Sequence, residues 1–309
     1  MPPLVRLSEI ADSDAALSYA GLTYPTYQPL LLGLRGDARR LAVGAEHAGQ
    51  PVGLALAVLG ENEKHDAPSA EIVSLFVAKS HRGQGIGGSL LAEIERRMAA
   101  AGVRNAAITY PSGERPTAGI ERMLARQGWS TPKPRMHLLR LGPDTHRTVR
   151  QAKWLAPRPL PEGCSLFPWT TLSDEERDEL LDEQRRSPWF PAYISPFREA
   201  QLEDESTSLG LRYRGRVSGW MVTHRIQPDV LRYTSLFVRP EVPGRGVGLH
   251  LLREAITRHL DTAPDARRST LGVAAGNPVW GFLQRRLMPV AEVESLVTTM
   301  TANKQLLGG

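Results

Sequence analysis

The pattern of apolar and polar residues predicts the same series of elements in each half of the chain. In the first half, residues 41–46 and 52–59 are apolar runs of strand length joined by a short turn, and residues 71–77 form a third strand. In the second half, the corresponding strands are predicted at residues 208–213, 217–226 and 230–238. Each half therefore starts its sheet with a hairpin and a third strand.

A glycine-rich turn follows the third strand in both halves and leads into an amphipathic helix. The apolar residues on one face of the first helix are Leu90, Leu91, Ile94 and Met98. Those of the second helix are Leu249, Leu252, Ile256 and Leu260. A further strand at residues 105–110 or 269–274, a short helix and a closing strand complete each half.

The two halves are copies of one another in sequence as well as in pattern. Residues 74–97 align without gaps on residues 235–258, at a constant offset of 161, and eleven of the 24 positions are identical. The identities include Ser-Leu-Phe-Val and three glycines in each copy. An offset of domain size indicates two tandem domains rather than a solenoid of short repeats.

Length and composition agree with two globular domains. The 309 residues are 41% hydrophobic and 23% charged, and no apolar run is long enough to span a bilayer. The single cysteine, Cys164, and the absence of a secretory pattern at the N-terminus predict a cytoplasmic protein. A proline-rich stretch predicts a linker at residues 142–163, between an N-terminal domain at 1–141 and a C-terminal domain at 164–309.

The charge of the chain favours an anionic ligand or partner. Its net charge is +5, its pI is near 9.5, and arginines far outnumber the five lysines. A GC-rich genome would also produce this bias, and the arginines are scattered, so no nucleic-acid-binding stripe is indicated. No histidine or cysteine spacing indicates a metal site.

The glycine-rich turn predicts a site for a phosphate group. A strand, a glycine turn and a helix N-terminus leave backbone N–H groups free to bind an anion. Gly83, Gly85 and Gly88 also fit the dinucleotide-binding pattern G-x-G-x-x-G, but the second copy has Leu249 at the third position. The pattern common to both copies is G-x-G-x-G, and a hairpin precedes it, which argues against a dinucleotide fold.

With this loop, the chain resembles the GNAT superfamily of acyl-CoA-dependent N-acyltransferases in both halves. The loop of that family has Arg or Gln, two residues, Gly, one residue, and Gly or Ala; Arg82, Gly85 and Gly87 match it fully. The second copy keeps Gly246 and Gly248 but has Pro243 in the first position. The resemblance implies an α/β (α+β) fold with two domains, each a mixed, mostly antiparallel sheet flanked by helices.

The resemblance also implies that the loop and the strand before it hold acetyl-CoA or another acyl-CoA, with the pantetheine arm along the strand. The residues assigned to the donor are Leu75, Phe76, Val77, Arg82, Gly83, Gln84, Gly85, Ile86, Gly87 and Gly88 in the first copy, and Leu236, Phe237, Val238, Gly244, Arg245, Gly246, Gly248 and Asn277 in the second.

Acyl transfer to an amine requires a deprotonated nucleophile, an oxyanion site and a proton for the leaving thiolate. By resemblance, Glu71 is the candidate base, and the second copy has Arg232 in its place. Neither copy has the tyrosine that the family carries on its late helix; Leu124 stands there in the first copy. Solvent, the low basicity of the thiolate itself, or another tyrosine such as Tyr110 would have to take its place.

The acceptor side is predicted from an aromatic segment of the second copy, in which Trp189, Phe190 and Tyr193 are candidate substrate-binding residues. The same cluster could simply pack the seam between the two domains. The first copy has the complete loop, whereas the second keeps Asn277 and the aromatic segment, so the sequence leaves the catalytic copy open.

The function that we predict is N-acyl transfer from an acyl-CoA to a small-molecule amine. One alternative is transfer from pantetheine on an acidic carrier protein, or of an aminoacyl group from tRNA. Another is a catalytically inactive module that binds acyl-CoA. The sequence predicts no membrane partner and leaves the oligomeric state open.

Overall fold

The computed structural model describes residues 5–34, 37–62, 65–113, 117–244 and 246–306. The chain forms two compact units. Unit 1 is Met1–Arg135 together with Thr298–Gly309, and unit 2 is Met136–Val297. Within the described ranges, no helix is long and apolar enough to cross a membrane.

Unit 1 is a six-stranded sheet with helices on both faces. Its elements are β1 (Arg6–Glu9), α1 (Ser13–Tyr19), α2 (Gln28–Leu32), β2 (Arg40–His47), β3 (Gln50–Asn62), β4 (His65–Val77), α3 (Ile86–Ala100), β5 (Asn105–Pro111) and α4 (Thr117–Arg126), with the last part of β12 (Val293–Gln305). The strand order is β1-β2-β3-β4-β5-β12, and only β4 and β5 pair in parallel. The mixed, mostly antiparallel sheet predicted from the sequence is confirmed.

Unit 2 repeats this architecture. Its elements are β6 (Lys133–Leu141), α5 (Thr145–Gln151), β7 (Cys164–Pro168), α6 (Asp174–Arg186), β8 (Leu209–Tyr213), β9 (Arg216–Gln227), β10 (Val230–Val238), α7 (Val247–Thr262), β11 (Arg268–Ala274) and α8 (Val279–Phe282). The strand order is β7-β8-β9-β10-β11-β6, with β10 and β11 parallel.

The two closing strands divide the chain differently from the predicted domains 1–141 and 164–309. The last strand, β12, pairs with β5 of unit 1 from Thr299↔Pro111 to Gln305↔Asn105. The strand that precedes the predicted linker, β6, pairs with β11 of unit 2. Local sequence pattern identifies a closing strand but not its partner, because both sheets offer an edge of the same kind.

The predicted linker, residues 142–163, also contains a packed helix, α5. Val149 of this helix is buried in a cluster with Ile256 of α7, and the side chain of Arg253 donates hydrogen bonds to the carbonyls of Arg150 and Leu155. The four prolines led to the prediction of a linker, although the stretch contains a helix of seven residues that covers the core of unit 2.

The core of unit 1 lies on both faces of its sheet, because the central strand β3 is apolar at consecutive positions. Ala55 and Ala57 face α3, whereas Leu54 and Leu56 face α1 and α2. The predicted face of α3 is confirmed: Leu90, Leu91, Ile94 and Met98 are all buried.

The predicted apolar face of α7 is only partly correct. Of the four predicted residues only Ile256 is fully buried, whereas Leu249, Leu252 and Leu260 are partly exposed. The residues that α7 buries are Val247, Leu251, Ala255, Ile256 and His259. The helix faces two clusters, one towards β8 and β9 and one towards α5, and this widens its apolar surface.

Unit 2 should lose stability in mild acid because of a buried histidine. Burial, together with neighbouring His259, lowers the pKa of His146 from 6.5 to about 3. In the unfolded chain His146 takes up a proton near pH 6.5, whereas in the folded unit it stays neutral down to about pH 3. The stabilisation of the folded unit that depends on neutral His146 is therefore complete above pH 6.5 and is lost as the pH falls towards 3. At pH 5 the free energy of unfolding is about 2 kcal/mol lower than it is above pH 6.5.

Urea unfolding at pH 7.5 and pH 5 checks this expectation. His146→Gln keeps a partner for the Ser269 hydroxyl, which lies 2.9 Å from Nε2 of His146, and should flatten the pH dependence. An equal pH dependence in wild type and variant would contradict it.

Candidate active site

Each sheet opens at the same point, where a β-bulge separates the two parallel strands. In unit 1, Ile72 pairs with Ala57 and Ser74 with Leu56, so Val73 is the extra residue of β4. The pairing of β4 with β5 extends to Ile72↔Ile108 and no further. Beyond this rung, β4 has no described partner on the β5 side, and its backbone groups can accept an added strand.

Unit 2 repeats the bulge at the equivalent residue. Thr234 lies outside the register between Tyr233↔Thr223 and Ser235↔Val222, and the parallel pairing with β11 ends at Tyr233↔Leu271. These residues follow those of unit 1 at the offset of 161 found in the sequence. Both units therefore contain the opening between the parallel strands, and not only the repeated sequence around it.

The glycine loop of unit 1 lies between β4 and α3. Gly83 and Gly85 have φ angles of 79° and 81°, in the left-handed region that favours glycine, and Gly85 is the N-cap of α3. A Cβ atom built on either residue would have no atom of a described residue within 4 Å. Backbone conformation, rather than crowding, requires these two glycines, and the space above them is open.

The first turn of α3 presents free amides to this space. The first helical bond of α3 runs from Ser89 N to Gly85 O, and the amides of Ile86, Gly87 and Gly88 meet no described backbone carbonyl. Gln127 supports the turn by donating from Nε2 to Gly88 O at 2.7 Å. Three free amides at the positive end of a 15-residue helix suit a phosphate.

Two other residues of the predicted donor loop make side-chain hydrogen bonds, Arg82 to β4 and Gln84 within the turn. The Nε of Arg82 donates to Val77 O at 2.9 Å, and its guanidinium lies 5.7 Å from the centre of the Phe76 ring. Gln84 contacts Ser80 O at 3.5 Å. The positively charged guanidinium of Arg82 is thus held where β4 meets the glycine loop.

The glycine loop of unit 2 has the same backbone but is filled by the chain's own side chains. Gly244 and Gly246 have φ angles of 93° and 80°. A Cβ atom on Gly244 would lie 3.0 Å from Cγ of Pro161, and one on Gly246 would lie 3.5 Å from Cδ1 of Leu249. The predicted donor residue Arg245 lies outside the described residues.

The first turn of α7 also has one amide fewer. The N–H of Leu249, which is equivalent to Gly88, donates to Gly246 O at 2.8 Å. Gly248 faces the side chains of Leu236 and Val238 at 3.8 Å. Leu249 thus replaces Gly88 of the first copy, and its side chain makes the surface of this turn apolar.

The strand residues predicted to lie along the pantetheine arm are partly buried in both units. Leu75, Phe76 and Val77 flank the opening of unit 1, and Phe237 and Val238 occupy the same place in unit 2, where Leu236 is 40% exposed. Leu75 and Val77 pack against the core below α3, whereas Leu236 projects from the surface.

Glu71, the predicted base, lies one residue before the last parallel rung. Its Oε1 accepts hydrogen bonds at 2.7 Å from the Thr109 hydroxyl and from Nη1 of Arg135. Its Oε2 accepts none from the described part of unit 1. Burial raises the pKa of Tyr27, and the Glu71 carboxylate adds to this increase. The carboxylate therefore has two fixed donors on one oxygen and a free oxygen beside tyrosines.

Unit 2 places a cation where unit 1 has Glu71. Arg232 pairs with Glu199 and donates to Nδ1 of His224 at 2.9 Å. Since the guanidinium can only donate, Nδ1 of His224 must accept. Burial, together with Arg232, lowers the pKa of His224 and keeps it neutral. His224 is a buried residue of unit 2.

Two of the three predicted substrate residues of unit 2 lie in an aromatic cluster around Trp220. Phe190 is buried, and Trp189 and Phe190 lie 5.6 and 5.0 Å from the buried ring of Trp220, while Tyr193 is 46% exposed. Phe237 packs against the same cluster at 5.0 Å from Trp220. Trp189 and Phe190 therefore take part in the packing of unit 2.

The last predicted donor residue, Asn277, lies two residues before the short helix α8, whose N-cap is Pro278. Its Oδ1 accepts from Val279 N at 2.9 Å, which satisfies one of the amides at the start of the helix. The side chain is therefore committed to a local structural role.

Sequence reasoning missed three residues of the site. Thr109 and Arg135 hold Glu71, and Gln127 supports the loop, yet all three are remote from their partners in sequence. A threonine on a strand and an arginine on the next carried no motif that could have revealed them. Clusters of three or more potential metal ligands are absent from the portion of the chain that the structure describes.

The structure resembles two solved proteins along nearly the whole length of each chain. A tandem GNAT protein from the clavulanic acid biosynthesis pathway is 18% identical, with 97% of this chain and 98% of that chain covered and a TM-score of 0.67. A GCN5-related N-acetyltransferase from Sphaerobacter thermophilus is 17% identical, with 99% and 96% covered and a TM-score of 0.61.

A glucosamine N-acetyltransferase region of a fungal multi-domain β-N-acetylglucosaminidase is 14% identical; it covers 98% of this chain but 38% of that chain, with a TM-score of 0.66. These likenesses concern the fold alone. A search of curated proteins finds no match to the sequence.

The family model for acetyltransferases of the GNAT family matches the sequence twice, at residues 6–118 and at residues 170–287. The two matches cover more than half of the chain and fall on the two copies that the repeat defined. The chain therefore belongs to the acetyltransferase (GNAT) family and is a two-domain member of it.

Proposed function

We propose that the protein transfers an acyl group from an acyl-CoA to a small-molecule amine, and that unit 1 holds both substrates. The observation that carries the proposal is the contrast between the two loops. Unit 1 offers open space, three free amides and Arg82, whereas unit 2 has Pro161 and Leu249 in the same space and Pro243 in place of the arginine.

The residues of unit 1 fit the diphosphate of an acyl-CoA. The amides of Ile86, Gly87 and Gly88 would bind its oxygens, and the guanidinium of Arg82 adds a fixed positive charge. The unpaired edge of β4 beyond Ile72 would accept the amide groups of the pantetheine arm. The thioester that such a donor supplies is the acylating group; the chain supplies the site around it.

The acceptor side of unit 1 suits a positively charged amine. Glu71 brings a carboxylate with a free oxygen, and the rings of Tyr24 and Tyr27 stand edge to face at 6.4 Å nearby on the same side. Carboxylates and aromatic faces both attract ammonium groups. Glu71 would then take the proton that the amine must lose before it attacks. Unit 2, with Arg232 at this position, would repel the same substrate.

Glu71→Gln tests the base directly. The amide keeps an oxygen that can accept from Thr109 and Arg135 but cannot take a proton at neutral pH, so we expect kcat to fall by about 10²- to 10⁴-fold with KM for acetyl-CoA unchanged. Stopped assays of free thiol release measure both. A rise in KM for acetyl-CoA at constant kcat would show that Glu71 serves donor binding instead.

The function itself is tested by thiol release from acetyl-CoA over a panel of small amines, with aminosugars, amino acids and polyamines as separate groups. The proposal predicts enzyme-dependent release with at least one group and a matching acetylated product by mass spectrometry. Release only with acetyl-pantetheine on a carrier protein, or aminoacyl transfer from tRNA, would favour the partner-dependent alternative. Binding without turnover in every arm would identify an inactive module.

A further inference from the structure

Arg135 of unit 1 uses only part of its guanidinium to contact Glu71. Its Nη1 donates to Oε1 of Glu71 at 2.7 Å and to the Thr109 hydroxyl at 2.5 Å. An arginine carries five N–H groups, and two of them are on Nη1. The N–H groups of Nε and Nη2 have no acceptor among the residues that the structure describes, and the side chain is 48% exposed. Three donors of a charged group are therefore open to a ligand.

The free donors of Arg135 suit a carboxylate. The N–H of Nε and one N–H of Nη2 are parallel on one edge of the planar guanidinium, and together they match the two oxygens of a carboxylate. Glu71 and Thr109 hold the other end of the guanidinium, so the free edge is oriented before a ligand binds. A donor pair that is fixed in advance loses less entropy on binding.

Glu71 places the opposite charge beside this edge. Its Oε1 accepts from Thr109 and Arg135, whereas its Oε2 accepts no hydrogen bond from the described part of unit 1. Burial raises the pKa of Tyr27, the Glu71 carboxylate adds to the increase, and the Arg135 guanidinium opposes it. Tyr27 therefore lies near both charges, so an aromatic ring, an open carboxylate oxygen and an open guanidinium edge form one surface.

The balance of charge on this surface favours a ligand that carries both signs. Glu71 and Arg135 together are neutral, and a zwitterion can place its ammonium group at Glu71 and its anion at Arg135 without leaving a net charge. An amine without an anionic group would leave the free edge of Arg135 without a partner. An amine with a phosphate group would bring excess negative charge beside Glu71.

The arginine of the corresponding ion pair in unit 2 has no such free edge. Nε of Arg232 donates to the Thr234 hydroxyl at 3.1 Å, and its Nη2 donates to Nδ1 of His224 at 2.9 Å and to Glu199. The edge that is free in Arg135 is thus occupied by side chains of unit 2 itself. An open ion pair is found in the unit whose glycine loop is also open.

We propose that the acceptor of unit 1 is an α-amino acid, with its carboxylate bound by Arg135 and its amino group at Glu71. This inference rests on the proposed function and narrows its acceptor. In the reaction, the amino nitrogen bonds to the acyl carbon, and the carbon–sulfur bond breaks with its electron pair on sulfur. The ammonium group gives up two protons, of which one passes through Glu71 to solvent and one ends on the sulfur. The products are an N-acyl amino acid and free CoA.

The experiment compares each common α-amino acid with its carboxamide and with its decarboxylated amine as acceptors of acetyl-CoA. We expect kcat/KM for the preferred amino acid to exceed both counterparts by about 10- to 100-fold, because each lacks the anion that Arg135 binds. The amino group of the carboxamide is less basic than that of the amino acid, and that of the decarboxylated amine is more basic. A preference over both therefore cannot come from basicity.

Arg135→Gln tests the assignment of the carboxylate to this residue. We expect KM for the amino acid to rise by about 10- to 100-fold, with KM for acetyl-CoA unchanged and the preference over the two counterparts lost. A disturbed Glu71 would lower the rates of all three acceptors alike, so the lost preference is specific to carboxylate binding. Arg96→Gln is the control, because the exposed Arg96 uses its Nε and Nη2 on Glu93, and this variant should keep the wild-type preference.

Calorimetry of the preferred amino acid with the protein saturated with CoA gives a second measurement that does not depend on turnover. Its Kd should rise by about the same factor in Arg135→Gln and stay unchanged in Arg96→Gln. Equal kcat/KM for amino acids and their carboxyl-free counterparts, or a preference that Arg135→Gln retains, would overturn the inference and leave the proposed function intact. Absence of thiol release with every amine would instead refute the proposed function and the inference with it.

Discussion

Gly85→Val should abolish binding of acetyl-CoA. At a φ of 81° a valine strains the backbone by about 1–2 kcal/mol or leaves this conformation, and the turn that aims the amides of Ile86, Gly87 and Gly88 is lost. Two charge-assisted hydrogen bonds to a phosphate are worth about 3 kcal/mol, so we expect Kd to rise by at least about 100-fold. Equilibrium dialysis with labelled acetyl-CoA measures it.

Gly246→Val is the matched control, because unit 2 repeats the same turn. Gly246 has a φ of 80° and is the N-cap of α7, so the strain and the loss of unfolding free energy should be similar. Donor affinity should stay within a factor of two, since the loop of unit 2 is filled by Pro161 and Leu249. The reverse pattern would place the donor in unit 2.

Trp220→Ala should destabilise unit 2 by about 3–5 kcal/mol. The ring of Trp220 is fully buried, its Nε1 donates to Ser235 Oγ at 2.8 Å, and it contacts Trp189, Phe190 and Phe237. Truncation leaves a large cavity and removes the hydrogen bond that Trp220 donates to the serine. Urea unfolding followed by far-ultraviolet circular dichroism measures the change.

Tyr193→Ala provides the comparison for the same aromatic segment. Its exposed side chain should contribute less than about 0.5 kcal/mol to the unfolding free energy. A large loss in Tyr193→Ala, or a small one in Trp220→Ala, would contradict the interpretation of this segment as interior packing held by Trp220.

The sequence predicted most of the fold because the features that determine it are local and occur twice. The apolar runs of β2 and β3, and the apolar face of α3, are readable from the local sequence alone. The glycine loop was readable because a φ near 80° restricts the choice of residue. The exchange of closing strands was not readable, since β6 and β12 have the same pattern and their partners depend on distant contacts.

The sequence predicted the site only where a single short segment of the chain forms it. Gly83 and Gly85 lie within the motif, and their surroundings agree with the expected anion site. The filling of the second loop by Pro161 comes from a segment 83 residues earlier than Gly244, and no local pattern reveals it. The packing of Trp189 and Phe190 was likewise undetermined, because an aromatic run suits both a pocket and a core.

The most direct test of the account is the stoichiometry of donor binding by the wild-type chain. Isothermal titration calorimetry with acetyl-CoA should give one site per chain, in the unit whose loop has free amides and open space. Two equivalent sites per chain would contradict the claim that Pro161 and Leu249 close the second loop, and no binding would contradict the anion site of unit 1.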